Sequence, residues 1–150
     1  YSEGMNLIWQ AGKSDAANAQ IEFLGLSDRI RIFEFIDRMD MAYSASNLVV
    51  CRAGITSIME LSFMKAPSIL IPLPGSAENH QEMNALSMEK RNSAIVVLQS
   101  EIENRLSEVI KNLINEEVRL DELRKNVNEF SDPEAAMRIA GEAIKLIRKR

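Results

Sequence analysis

Leu48-Val49-Val50-Cys51-Arg52-Ala53-Gly54-Ile55-Thr56-Ser57-Ile58-Met59-Glu60 is the stretch on which the fold turns. Its first four residues are apolar without a break, the pattern of a strand buried in a parallel sheet. Gly54 then lets the backbone turn tightly, and residues 55–65 have helical character until Pro67 closes the segment. Strand, short turn and helix make the repeating unit of an α/β sheet. Such sheets take their ligands beyond the carboxyl ends of the strands.

The same alternation runs outward from this stretch. Upstream, Leu7-Ile8-Trp9 reads as a strand ending at Gly12, followed by a small polar helix through residues 16–19. Residues 29–36, with Ile30, Ile32, Phe33, Phe35 and Ile36, predict the next strand, and 39–46 a short helix. Downstream, Ser68-Ile69-Leu70-Ile71 is a strand stopped by Pro72 and Pro74-Gly75. Residues 79–90 predict a helix and 94–98 a fifth strand. Five strands in βα alternation give an α/β fold, a Rossmann-like parallel sheet flanked by helices.

Beyond Leu98 the pattern is helical. Ser100 and Glu103 have the spacing of a capping box for a helix to about Ile114, on which Ile102, Leu106, Val109, Ile110 and Leu113 share one face. A second helix is expected over 118–130. Asp132 and Pro133 then read as N-cap and first residue of a last helix ending in Lys145-Leu146-Ile147-Arg148-Lys149-Arg150. That basic end suits a solvated helix terminus, with contact to an acidic membrane surface as the alternative. The expected organisation is one domain over 1–150, with 101–150 as its helical tail.

Composition narrows the function. With 150 residues, 46% hydrophobic and 27% charged, the chain has an ordinary globular make-up and the size of one domain. Its 18 Lys and Arg against 22 Asp and Glu leave a charge of −4, which argues against nucleic acid as partner. One cysteine excludes an internal disulfide and fits a reducing compartment. No apolar run approaches the roughly 20 residues of a membrane span. The chain starts at Tyr1 rather than Met and carries no basic, apolar leader, so the expectation is a piece of something longer. The eight methionines are expected to fill core gaps.

Several motifs fail. Gly12-Lys13-Ser14 lacks the glycine that a phosphate loop places five positions earlier, where Leu7 stands. No G-x-G-x-x-G occurs, and no D-x-D, since two residues separate Asp37 from Asp40; a carboxylate-held divalent ion has no obvious seat. His80 is the only histidine, which excludes a multi-histidine metal site. A Cys51–His80 nucleophile pair is conceivable, but a cysteine in an apolar run reads as buried and inert.

Two segments remain, both at carboxyl ends of strands. In the first, a new helix presents free N–H groups at Ile55 and Thr56, which suit a phosphate or sugar oxygen. Thr56 and Glu60 share a face there, and a carboxylate accepts from the two hydroxyls of a ribose diol. The alternative for Glu60 is a solvated helix residue. In the second, residues 72–85, a Pro/Gly turn leads into a helix start where His80, Gln81 and Asn84 converge. The side-chain amides of Gln81 and Asn84 match sugar hydroxyls, with capping and surface roles as the alternative.

Together these segments resemble the C-terminal, donor-binding half of the peptidoglycan N-acetylglucosaminyltransferases, the MurG family of GT-B enzymes. Residues 7–14 are similar to that family's strand and Gln-x-Gly-Lys turn, here Gln10-Ala11-Gly12-Lys13. Phe35-Ile36-Asp37, Met39 and Tyr43 resemble its F-I-x-x-M-x-x-x-Y segment. Val49-Val50-Cys51-Arg52, Gly54 and Glu60 resemble its V-V-x-R-x-G stretch, with Ser57 at the usual threonine position. Residues 72–85 resemble its P-x-P and H-Q-x-x-N-A turn and helix.

The resemblance implies an inverting transfer of N-acetylglucosamine from UDP-N-acetylglucosamine (UDP-GlcNAc) to lipid I, giving lipid II for peptidoglycan and cell-wall synthesis. The backbone of Ile36 would meet the uracil and Glu60 the ribose. The amides near Gly54, Ile55 and Thr56 would face the diphosphate, and His80, Gln81 and Asn84 the sugar. No metal or other cofactor is implied, and no catalytic residue is expected in this stretch of chain. The family's phosphate loop and acceptor half, with its general base, belong upstream of Tyr1. The implied setting is the cytoplasmic, inner face of the bacterial membrane, with lipid I met through that acceptor half. The alternatives are another GT-B UDP-sugar enzyme, such as an epimerase or glycolipid glycosyltransferase, or a non-catalytic nucleotide-sugar-binding subunit.

Overall fold

Among the described residues of the computed structural model every strand pair is parallel, so each pair is joined by a crossover through a helix rather than by a hairpin. The structure describes residues 4–23, 28–127, 132 and 134–148. The expectations for Tyr1, Pro133, the helix end at 128–130 and the terminal Lys149 and Arg150 lie outside them. The chain divides into two compact units, Tyr1–Ala45 and Ser46–Arg150.

In the first unit, β1 (Leu7–Gln10) pairs with β2 (Ile30–Phe33) through α1 (Ala16–Glu22), and α2 (Met39–Ala45) follows. The register sets Leu7 against Ile30 and Gln10 against Phe33. β2 stops three residues short of the predicted end, and Ile36 lies in the loop beyond it. Trp9 meets Phe23 edge to face with ring centroids 6.2 Å apart. Ala16 and Ala19 are the buried face of α1.

The second unit is built on three parallel strands in the order β3 (Val49–Cys51), β4 (Ser68–Leu70), β5 (Ile95–Val96), linked by α3 (Ile55–Met64) and α4 (His80–Lys90). Then come α5 (Ser107–Ile114), α6 (Glu117–Val127) and α7 (Ala135–Arg148). Both crossover helices end alike. Lys65 (φ 53°) and Asn92 (φ 55°) take the left-handed conformation, and the next amides, Ala66 and Ser93, donate back to Leu61 and Met88. This is the Schellman closure that turns a helix sharply into the following strand.

The core lies against β4, the central and fully buried strand. Ile69 and Ile71 on one face cluster with Val97, Leu113, Leu120 and Leu123, and Ile102, Leu106, Val109 and Ile110 pack against them. The face predicted for the first tail helix is therefore the one that closes the core. The lead-in to it differs from expectation. A 3₁₀ turn (Gln99–Glu101) and a π-helical turn (Ile102–Leu106) precede α5. The cap is the Glu101 carboxylate, accepting the Leu98 N–H at 3.0 Å, rather than the Ser100–Glu103 box. A carboxylate two residues earlier reaches the orphan amide that begins the turn.

Two further expectations are corrected. β3 is not buried: it is an edge of its three-stranded sheet, and Val50 is 41% exposed. Of the eight methionines only Met88 is buried, while Met41, Met59, Met83 and Met137 stand in solvent. The core instead uses branched residues and alanines on narrow helix faces.

Two measurements check this packing. The Ser68 hydroxyl is buried in β4 without a hydrogen-bond partner. Ser68→Ala is therefore expected to hold or raise stability, by up to about 1 kcal/mol in urea unfolding, because an unsatisfied polar group is removed. The Glu101 carboxyl is held below the usual range by the Leu98 amide first and Arg105 second. A depressed carboxylate stabilises the fold above its unfolded pKa and loses that effect as pH falls through the folded one. Glu101→Gln should thus cost stability at neutral pH, and the gap from the wild type should close under acid titration.

Candidate functional site

Arg52 stands immediately after β3, and its side chain gathers the carboxyl ends of all three strands. One guanidinium nitrogen, Nη1, donates to the Ile71 carbonyl just past β4 (3.2 Å) and to Gln99 Oε1 beyond β5 (2.7 Å). The ladder supports it from below: the Ile71 amide donates to the Cys51 carbonyl at 2.8 Å and the Val97 amide to that of Leu70 at 3.1 Å. Sequence reading placed Arg52 in the motif but gave it no task, and nothing in the sequence singled out Gln99.

Directly after Arg52, Gly54 is the N-cap of α3. Its φ of −67° is open to any residue, so the tight turn does not require glycine. What glycine does provide is space, since nothing lies within 4 Å of a Cβ built there. No side chain caps α3 and its first turn holds no acidic residue, so the leading amides at Ile55 and Thr56 stand uncapped at the positive end of the helix. Thr56 and Glu60 are both exposed on this helix.

The Cys51 thiol reports on Glu60. Burial first, and the charge of Glu60 second, push it up to about 11. The carboxylate therefore stands near enough to the end of β3 to be felt there. The thiol stays protonated at neutral pH, which fits an inert cysteine although the residue is only half-buried. The side chain of His80 is 63% exposed, with Nε2 3.3 Å from the Glu78 carboxylate.

The second segment is held by its own amides. Gln81 Oε1 accepts the Leu73 N–H at 3.1 Å, and the Gln81 N–H donates to Ser76 Oγ at 3.3 Å, which fixes the 72–76 turn. Asn84 Nδ2 donates to the Ala53 carbonyl at 3.2 Å and joins α4 to the turn before α3. Between turn and helix, Glu78 and Asn79 both have positive φ, 48° and 56°. Two successive non-glycine residues in that conformation are strained, and such strain gathers at functional sites.

In the first unit, the Ile36 N–H donates to Gln10 Oε1 at 2.9 Å, a partner the sequence did not indicate. Seven of the eight predicted residues (Gly54, Ile55, Thr56, Glu60, His80, Gln81, Asn84) belong to the second unit and Ile36 to the first. Asp40 is engaged by Arg38, which holds its carboxyl below the usual range. Among the described residues, no group of three or more His, Cys, Asp and Glu is placed to hold a metal ion, and no helix is long and apolar enough to cross a membrane.

Residues 2–139 match the family model of the glycosyltransferase family 28 C-terminal domain. Among curated proteins, the chain is 34% identical over 146 residues to a UDP-N-acetylglucosamine–N-acetylmuramyl-(pentapeptide) pyrophosphoryl-undecaprenol N-acetylglucosamine transferase of Flavobacterium psychrophilum, covering 97% of this chain and 39% of that one. It is 37% identical over 147 residues to the transferase of the same name from Porphyromonas gingivalis, covering 96% and 38%. The crystal structure of Acinetobacter baumannii MurG superposes with a TM-score of 0.81 at 25% identity, over 97% of this chain and 43% of that one. The chain thus spans about two-fifths of the length of the relatives it matches. Its parallel sheets flanked by helices are those of the C-terminal half of a GT-B enzyme.

Alkylation of Cys51 tests the electrostatics. At pH 8 it should run about a hundredfold slower than at a thiol with the ordinary value of 9.0. Glu60→Gln should speed it, because a like charge is removed. A rate unmoved by that substitution would separate Glu60 from the end of β3.

Proposed function

The chain belongs to the glycosyltransferase family 28 C-terminal domains, and we propose that it is the donor-binding part of an enzyme that moves N-acetylglucosamine from UDP-GlcNAc to lipid I, forming lipid II. The observation that carries this reading is the alignment of nearly the whole chain with transferases of that name. The local chemistry agrees with it. The uncapped amides at Ile55 and Thr56 and the open space over Gly54 suit a diphosphate, with the helix end favouring its charge. Glu60 takes the ribose diol, and His80, Gln81 and Asn84 meet the sugar hydroxyls. The backbone of Ile36 reads the uracil edge.

In the transfer, the acceptor hydroxyl attacks the anomeric carbon, the bond to the diphosphate breaks, and configuration inverts. Negative charge grows on the leaving UDP, and preorganised amides at the start of α3 stabilise it. This reading assigns the chain no metal ion. The acceptor, its general base and contact with the inner face of the cell membrane belong to the rest of the enzyme.

Calorimetric titration of the full-length protein with UDP-GlcNAc, UDP-glucose, UDP and ADP tests the reading. Uridine ligands are expected to bind, the N-acetylated sugar best, and ADP not at all. Glu60→Ala should weaken UDP by about 1.5–3 kcal/mol through lost charged hydrogen bonds. Gly54→Ala should weaken UDP-GlcNAc while unfolding in urea stays level or improves, since its backbone conformation accepts a side chain and only a ligand would meet it. Equal affinity for ADP and UDP would sink the proposal.

A further inference from the structure

The Ile36 N–H, the donor that the proposed function assigns to uracil, already has an acceptor. Gln10 is the last residue of β1, and its side chain crosses to the loop beyond β2 to put Oε1 2.9 Å from that amide. The orientation is chemically fixed: a backbone N–H can only donate, so the carbonyl of the carboxamide must face it and the NH2 must face away. A carboxamide presents a carbonyl acceptor beside an N–H donor. The O4 and N3–H edge of uracil presents the same pair.

We infer that the Gln10 carboxamide and the nucleotide's pyrimidine carbonyl compete for one donor, the Ile36 amide, so that base binding is the exchange of one carbonyl for another. The inference rests on the reading of Ile36 as the base-recognising backbone. Exchange makes Gln10 a residue that sets the affinity for the base. It satisfies the amide in place of water, and a base displaces it only by offering an acceptor of equal quality. The 4-amino group of cytosine has none to offer. Gln10 is exposed, so its side chain can swing away without breaking the core. Its backbone stays in the β1–β2 ladder opposite Phe33, which holds the loop in register meanwhile.

The test is UDP affinity in the full-length protein carrying Gln10→Ala or Gln10→Met, the latter keeping side-chain length without an acceptor. Removing the competitor should tighten UDP about three- to tenfold, the span of one ordinary hydrogen bond. Ribose 5-phosphate, which has no base, should bind as before. Hydrogen exchange at the Ile36 amide gives an independent readout: slow in the wild type, fast in either variant, slow again with UDP. Unchanged or weaker UDP binding in a folded variant overturns the inference and leaves the donor reading standing. Failure of UDP to bind the wild type overturns both.

Discussion

One guanidinium holds the carboxyl edge of the three-stranded sheet together. Parallel strands end without a hairpin to join them, so past the last ladder bonds their carboxyl ends lead into three separate loops. Arg52 links those loops by donating to Ile71 and Gln99, each beyond a different strand. Charged donors suit such a place because they make stronger hydrogen bonds than neutral amides and because arginine has several N–H groups to share. Asn84 and Gln81 extend the same principle outward by fixing the turns before α3 and α4. The mouth of the sheet is thus tied by side chains that reach back to backbone, and the helix starts are presented on a fixed frame.

How far this was legible in the sequence depends on the distance over which each residue acts. Alternating strands and helices were readable because burial imposes a period on neighbouring residues. The tail helix face from Ile102 to Leu113 closes the core as its spacing requires. Where a property depends on partners far along the chain, the sequence misled. Val49 to Cys51 is apolar enough for a central strand, yet it pairs on one side only within its sheet. The methionines were expected inside, but the faces that turn inward on α3 and α4 are made of Ile58, Leu61, Ala85 and Met88, leaving Met59 and Met83 outside.

The candidate site shows the same division. Gly54 and the polar residues of 80–84 were visible as punctuation and composition, but their tasks were not. Gly54 was expected for its backbone freedom and instead contributes open space. Gln10 was visible only as part of a turn motif and Gln99 not at all, since a glutamine 26 residues from Ile36 or 47 from Arg52 becomes a partner only when two strand ends are brought level.

The amides at the start of α4 are assigned to sugar hydroxyls, yet part of their capacity is already committed, and that commitment decides what they have left to offer. Gln81 has its carbonyl turned to the Leu73 amide, so beyond that bond it presents N–H donors. Asn84 has one N–H turned to the Ala53 carbonyl, so it retains its carbonyl and one further donor. The two side chains sit three residues apart on one helix face with complementary remainders. A hydroxyl is the group that answers both, because it can accept from either side chain and donate to the Asn84 carbonyl, whereas a carboxylate leaves that carbonyl unanswered and an ammonium leaves the remaining N–H donors unanswered. The bonds that fix the loops therefore leave donors and an acceptor side by side, the set that the proposed sugar hydroxyls require.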